Sequence, residues 1–167
     1  MPRSVIRPLV PADAEELARI YRQDREFLRP FEPTRPEHFF TAKVQRQRIE
    51  RAGDDQWRWA IEDDGRIAGV ISLGDVLRES LQLANVGYFV SQEFNGRGLA
   101  TRAVADVVRF AFGEAGLHRL EAATVPDNRA SQRVLEKNGF VRYGLARGLL
   151  KIDDVWRDHV LFELVND

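Results

Sequence analysis

The sequence predicts a mixed α/β domain, a mostly antiparallel seven-stranded sheet flanked by about four helices. Three observations carry this reading. Segments of period-two and period-3.6 hydrophobicity alternate in the order βααβββαβαββ. Tight-turn signals at Asp64-Gly65 and Asp153-Asp154 join successive strands as hairpins. The chain has 167 residues, without repeats, linkers or low-complexity segments, which suits one domain spanning residues 1–167.

Each element has its own signal. Val5 to Leu9 is a short apolar strand. Asp13 and Glu16 form a capping box before a helix with Leu17, Ile20 and Tyr21 on one face. The stretch "FLRPFEPTRP", Phe27 to Pro36, carries three prolines that forbid regular helix, yet keeps two phenylalanines and a leucine. A stiff loop with large apolar residues is expected to dock on something. Thr34 and Glu37 suggest a second capping box, opening a helix to about Arg51. Trp57, Trp59 and Ile61 alternate with Arg58, Ala60 and Glu62, which predicts a strand with Trp57 and Trp59 on its core side. Arg66 to Leu73 is its hairpin partner, and Leu81 to Val90 a longer strand. A helix is expected from about Gly98 to Glu114, ended by Gly116. His118 to Val125 reads as a strand and Asn128 to Lys137 as a helix with Gly139 at C′. Phe140 to Ile152 and Val155 to Val165 read as a terminal hairpin.

Composition excludes several functions. With no cysteine there are no disulfides, thiol nucleophiles or thiolate metal ligands, which fits a reducing compartment. The formal net charge of -1 gives no support to general nucleic-acid binding. No apolar run approaches the roughly 20 residues of a membrane span, and "MPRSVIRPLV" has no signal-peptide core. The expectation is a cytoplasmic globular domain without membrane partners. His38, His118 and His159 show no metal spacing, so no metal is expected. "WRDH", with Asp158 and His159, reads as structural.

Two stretches carry chemistry. "FNGRGLATRAV", Phe94 to Val104, sets Gly96 and Gly98 at the start of a helix. A helix N-terminus offers unpaired N–H groups and a positive dipole end, and glycine lets the backbone approach an anion. A simple turn, a dinucleotide loop and another phosphate cradle all fit this pattern. A P-loop does not, because no Gly-Lys-Ser/Thr follows. A dinucleotide fold needs more parallel strands than the one further βα unit supplies. In "VPDNRASQRVLEKNGF", Asn128 and Ser131 stand three apart at a helix start and can share one side. By itself this pair also fits an N-cap and a solvated serine.

Together the two stretches resemble the GNAT acyltransferases. Asn95-Gly-Arg-Gly-Leu-Ala is similar to that family's pyrophosphate loop, Gln/Arg-x-x-Gly-x-Gly/Ala, with Gly98 and Ala100 matching and Asn95 standing where Gln or Arg is preferred. The resemblance implies the GNAT fold, with two strands splayed at the coenzyme site. It implies that N–H groups of Arg97, Gly98, Leu99, Ala100 and Thr101 hold the pyrophosphate of acetyl-CoA. It also implies that Phe89 and Val90 pair with pantetheine, their N–H groups polarising the thioester. Asn128 would orient the pantetheine arm, and Ser131 would protonate the leaving thiolate. "FLRPFEP" and "WRDHVLFEL" resemble the RimJ/RimL-type branch, whose members acetylate ribosomal-protein N-termini. In that branch the stiff loop, with Phe31 and Glu32, would cover the acceptor. Arg97 and Arg102 are further candidates for the coenzyme 3′-phosphate, with a solvated face favoured for Arg102.

The implied reaction is acetyl transfer from acetyl-CoA to an amine by direct attack, and its base is open. Glu121, Glu32 and water are the candidates, with Glu32 also able to hold the amine. An α-amino group is roughly a quarter neutral near pH 7.4, against about 0.1% for lysine, so an N-terminal amine needs less help. The acceptor expected from resemblance is a ribosomal-protein N-terminus. A small-molecule amine (antibiotic, amino sugar or polyamine) is the alternative, and a monomer or homodimer is expected. Two further classes are a non-catalytic acyl-CoA-binding module and a dinucleotide-binding oxidoreductase.

Overall fold

The computed structural model describes residues 3–53 and 55–167. A single seven-stranded sheet runs through the molecule. Its strands are β1 (Ile6–Pro8), β2 (Trp57–Asp63), β3 (Arg66–Leu77), β4 (Leu83–Val90), β5 (Arg119–Thr124), β6 (Val141–Ile152) and β7 (Val155–Val165), in spatial order β1-β2-β3-β4-β5-β7-β6. Neighbours are antiparallel except β4 and β5, the one parallel pair among the described residues. A doubly wound dinucleotide sheet is thereby excluded, since it needs several parallel neighbours.

Helices α1 (Ala14–Gln23), α2 (Arg25–Leu28) and α3 (Ala42–Glu50) cover one face of the sheet, and α4 (Leu99–Phe112) and α5 (Arg129–Lys137) the other. The apolar stripe of α1 puts Leu17, Ile20 and Tyr21 under the sheet with Phe39, Val70 and Phe89. Leu99, Ala103, Val104, Val107 and Ala111 of α4 pack on Ile61, Ile71 and Leu73 from the opposite side. Fully burying one such leucine contributes roughly 2 kcal/mol. None of the described helices is long and apolar enough to cross a membrane.

Turn chemistry follows the sequence closely. Asp64 and Gly65 take φ of 48° and 77°, and Asp153 and Asp154 take 53° and 62°, the left-handed pairs that a two-residue hairpin needs. Gly139, at φ 84°, ends α5 as expected.

Four local expectations are corrected. Asp13 does not cap α1; its carboxylate accepts the Val10 N–H and pairs with Arg7 at 2.8 Å. Thr34 opens no helix: residues Glu37–Phe40 form a 3-10 turn, and Thr41 caps α3 by accepting from the Val44 N–H. Thr34 instead accepts the Asp153 N–H, tying the stiff loop to the terminal hairpin. The loop itself begins later, because Phe27 and Leu28 belong to α2. Finally, the alternation of β2 put Arg58 on a polar face, yet Arg58 is 7% exposed. Helices α1 and α3 cover that face too. Withdrawing an uncompensated guanidinium from water costs several kcal/mol, more than one buried leucine returns.

Candidate active site

The sheet opens at its parallel pair. β4 and β5 hydrogen-bond through Leu83–Asn85 and Arg119–Glu121, and then part. From Val86 to Val90, β4 keeps its β3 partner but has none on the other edge. The Ser91 N–H donates to Ala68 O of β3. Along an antiparallel strand, successive N–H groups point to opposite edges. The Val90, Tyr88 and Val86 N–H groups therefore face the gap. At the end of β4, opposite Val90, a Cβ at Gly69 would lie 2.1 Å from Phe89 O, so only glycine lets β3 lie so close there.

A groove of about 700 Å³ follows the gap. Its walls include Val86–Val90, Gly96–Thr101, Ala122–Thr124, Asn128 and Ser131. At one end stands the start of α4. Gly96 and Gly98 have φ of 79° and 72°, and Gly98 is the N-cap without any side-chain hydrogen bond. The N–H groups of Leu99, Ala100 and Thr101 are thus an uncapped first turn beside the groove. Asn138 of the segment after α5 holds this turn by donating from Nδ2 to Thr101 O at 3.1 Å.

The start of α5 forms the opposite wall. Asn128 Oδ1 accepts the Ser131 N–H at 3.2 Å, so asparagine does act as the N-cap. Gln132 is buried, and its Nε2 holds Pro126 O at 3.1 Å, which fixes the chain before the helix. Ser131 is half-buried, and its Oγ lies 2.8 Å from the Tyr88 hydroxyl. Burial pushes the Tyr88 phenol up to about 12, so it stays protonated at neutral pH. The sequence reading missed Tyr88. The available signal was its strand parity: Tyr88 alternates with Phe89, whose ring turns away to lie 4.9 Å from Tyr21. By the same parity the Phe89 N–H points to β3, so the expectation that it polarises the thioester is corrected, and Val90 keeps that role.

The stiff loop closes the far end. Phe31, Glu32, Pro33 and Arg35 line the groove, and Glu32, Pro33 and Arg35 also wall a second cavity of about 280 Å³ with Tyr21, Phe39 and Phe40. Glu32 sits where the two spaces meet. Its carboxyl is raised above the ordinary glutamate range by burial, against the opposing charges of Arg35 and Arg48.

Three candidate side chains are placed elsewhere. Glu121 lies where β4 and β5 are still paired, and Arg119 Nε holds its carboxylate at 2.8 Å. It does not line the groove. The Arg97 backbone borders the groove, but its guanidinium is held by Asp63 at 2.6 Å. Arg102 reaches Arg3 O, and Asp158 accepts the Gly148 N–H inside the terminal hairpin.

Comparison with known proteins agrees with this geometry. Residues 3–141 match the acetyltransferase (GNAT) domain. A probable N-acetyltransferase, YjcK, of Bacillus subtilis (strain 168) is 40% identical over 96% of this chain and 93% of its own. The [ribosomal protein uS5]-alanine N-acetyltransferase of Escherichia coli (strain K12) is 32% identical over 97% of this chain and 87% of its own. The structure of Mycobacterium smegmatis RimJ in complex with CoA-disulfide superposes with a TM-score of 0.90 at 30% identity, covering 96% of this chain and 80% of that one. The chain belongs to the GNAT acetyltransferase family and is RimJ/RimL-like.

Proposed function

We propose that this GNAT acetyltransferase moves the acetyl group of acetyl-CoA to the α-amine of a protein N-terminus, such as that of a ribosomal protein, within a ternary complex. The observation that carries the reading is the Ser131–Tyr88 hydrogen bond beside the open edge of β4, in one groove with the uncapped start of α4. The sheet is continuous from Ile6 to Val165, which supports one domain over residues 1–167.

The residues fit the coenzyme from end to end. N–H groups from Arg97 to Thr101 suit the pyrophosphate, because an uncapped helix start lacks only an anion. Pantetheine would lie along Val86–Val90 as the missing neighbour of β4, with the Asn128 Nδ2 available to its amides. The Val90 or Tyr88 N–H would stabilise charge on the thioester oxygen as the amine attacks. The new N–C bond forms and the C–S bond breaks. Ser131 gives its proton to the departing sulfur and takes one from Tyr88, whose phenol bulk solvent recharges. The amine loses its surplus proton to Glu32 or to water. A raised carboxyl is the better base near neutral pH, and an α-amine asks little of it. Glu121, held by Arg119, is left out of this scheme.

An acceptor screen tests the proposal. Peptides with ribosomal-protein N-termini, lysine side-chain peptides, amino sugars and polyamines are offered with acetyl-CoA. Products are read by mass spectrometry and thiol release. Acetylation confined to peptide α-amines is the expected result. Turnover only of small amines would replace the acceptor, and no turnover with any amine would leave an acyl-CoA-binding module.

A further inference from the structure

The cavity beneath the stiff loop holds more positive charge than acetyl transfer requires. Arg35 and Arg48 each set a guanidinium 4.8 Å from the centre of the Phe39 ring. Arg58 comes up from β2 beside the hydroxyl of Tyr21, close enough for Arg35 and Arg48 to disfavour its charge, beyond the larger effect of burial. Among the described residues, none of the three forms an ion pair. Arg58 is 93% withdrawn from solvent, and one of its terminal nitrogens has no hydrogen-bond partner. The buried Nε of Arg35 has none either.

The rim of the same cavity behaves differently. Arg25 is matched by Glu37 at 2.6 Å and Arg29 by Asp153 at 2.8 Å. Only the deeper arginines lack carboxylates. Glu32 is the acid that Arg35 and Arg48 act on, and Arg58 stands close to both arginines, so the cluster holds three cations and one anion. Buried polar groups without partners are rare in native proteins and point to something absent from the protein itself. Guanidinium forks select carboxylate and phosphate oxygens.

We infer that the acceptor carries an anionic group, a carboxylate or phosphate a few bonds from its amine, which Arg35 receives with Arg48 and Arg58 behind it. This rests on the acetyl-transfer reading proposed above, with the acceptor amine meeting Glu32. Glu32, at the junction with the groove, then meets the amine end while the arginines meet the acid end. The acceptor is therefore selected as a dipolar molecule, by both of its charges.

Matched acceptors test this. Peptides sharing a first residue, with Asp or Asn second, are compared with small aminoalkyl phosphates and their neutral alcohols. The acidic member of each pair should be turned over with a kcat/KM at least tenfold higher, the scale of one charged hydrogen bond. The family of pairs that shows the gap tells whether the anion belongs to a peptide or to a small molecule. Arg35→Gln and Arg48→Gln should bring the acidic acceptor down to its neutral match, mainly through KM. Arg58→Gln risks the fold, so the loop and helix variants carry the comparison.

A binding test stands apart from turnover. With coenzyme A saturating, inorganic phosphate should raise the Tm of the wild type and not that of the Arg35→Gln/Arg48→Gln double variant. If no amine is acetylated, the acceptor reading falls while this phosphate measurement still decides the anion site. Equal turnover of acidic and neutral acceptors, or an equal phosphate shift in both proteins, would overturn the inference.

Discussion

Along the gap between β4 and β5, most groups that face a ligand are backbone N–H, supplied by two short runs, Val86–Val90 and Arg97–Thr101. In the cavity beneath the proline-rich loop they are side chains from α1 and the loop, Tyr21, Glu32 and Arg35, with Arg48 of α3 and Arg58 of β2 behind them. On the proposed reading, the first region would recognise a ligand by shape and dipole, with hardly any charged residue, and the second by charges held away from water. Backbone recognition depends on where a strand parts and how a helix starts. Such a site suits a ligand that does not change. Side-chain recognition can be retuned by single substitutions, which suits the partner that varies between relatives.

The comparison can be broken from either side. The largest effect is expected within the groove itself. Ser131→Ala, and separately Tyr88→Phe, should lower kcat about a hundredfold, the lower end of general acid–base catalysis, while the Kd for acetyl-CoA stays within a few-fold. A wild-type rate in either variant would remove that hydroxyl from the proton path. Next comes the backbone cradle. Gly98→Val forces a β-branched residue to φ 72°, and the KM for acetyl-CoA should rise about tenfold while that for the acceptor does not. A matched rise in both constants would mean that the regions are not separable.

The smallest effect tests the junction. Glu32 has its carboxyl raised by burial, so as a base it is lost when pH falls through a value above the ordinary glutamate range. The acid limb of kcat/KM should accordingly sit higher than an unperturbed carboxylate would place it. Glu32→Gln should flatten that limb and cost about tenfold at neutral pH, because an α-amine is already partly neutral. The stability sign is the opposite of a salt-bridged acid. The folded state holds this proton longer than the unfolded chain, so the contribution of Glu32 to stability falls as pH rises through that window. Urea titrations of wild type and Glu32→Gln at several pH values read the difference directly.

What the sequence revealed divides along the same boundary. Gly96, Gly98, Asn128 and Ser131 are legible because backbone recognition leaves local signatures: a glycine with positive φ, a cap, a spacing of three. The hairpins were legible for the same reason, at Asp64-Gly65 and Asp153-Asp154. Tyr88 was hidden because strand parity, not residue type, decides which of two adjacent aromatics faces the gap. Arg58 was hidden more deeply. In β2 it occupies an alternating polar position, and nothing local says that α1 and α3 will cover it. Thr34 and Thr41 show the same limit at a helix start, since two equivalent caps lie seven residues apart and the tertiary contact with Asp153 takes the first.

The parting of β4 from β5 has a consequence beyond catalysis. The sheet is two slabs, β1 to β4 and β5 with β7 and β6, stitched directly by three residue pairs. A coenzyme lying along β4 becomes a structural member of the molecule, bridging slabs that the chain leaves half-joined. A ligand held at a hundred times its Kd adds about 2.7 kcal/mol to the native state, a large share of the margin of an ordinary domain. The lifetime of the enzyme would then follow the supply of its donor. When acetyl-CoA is scarce, thermal opening and proteolysis would begin at the seam.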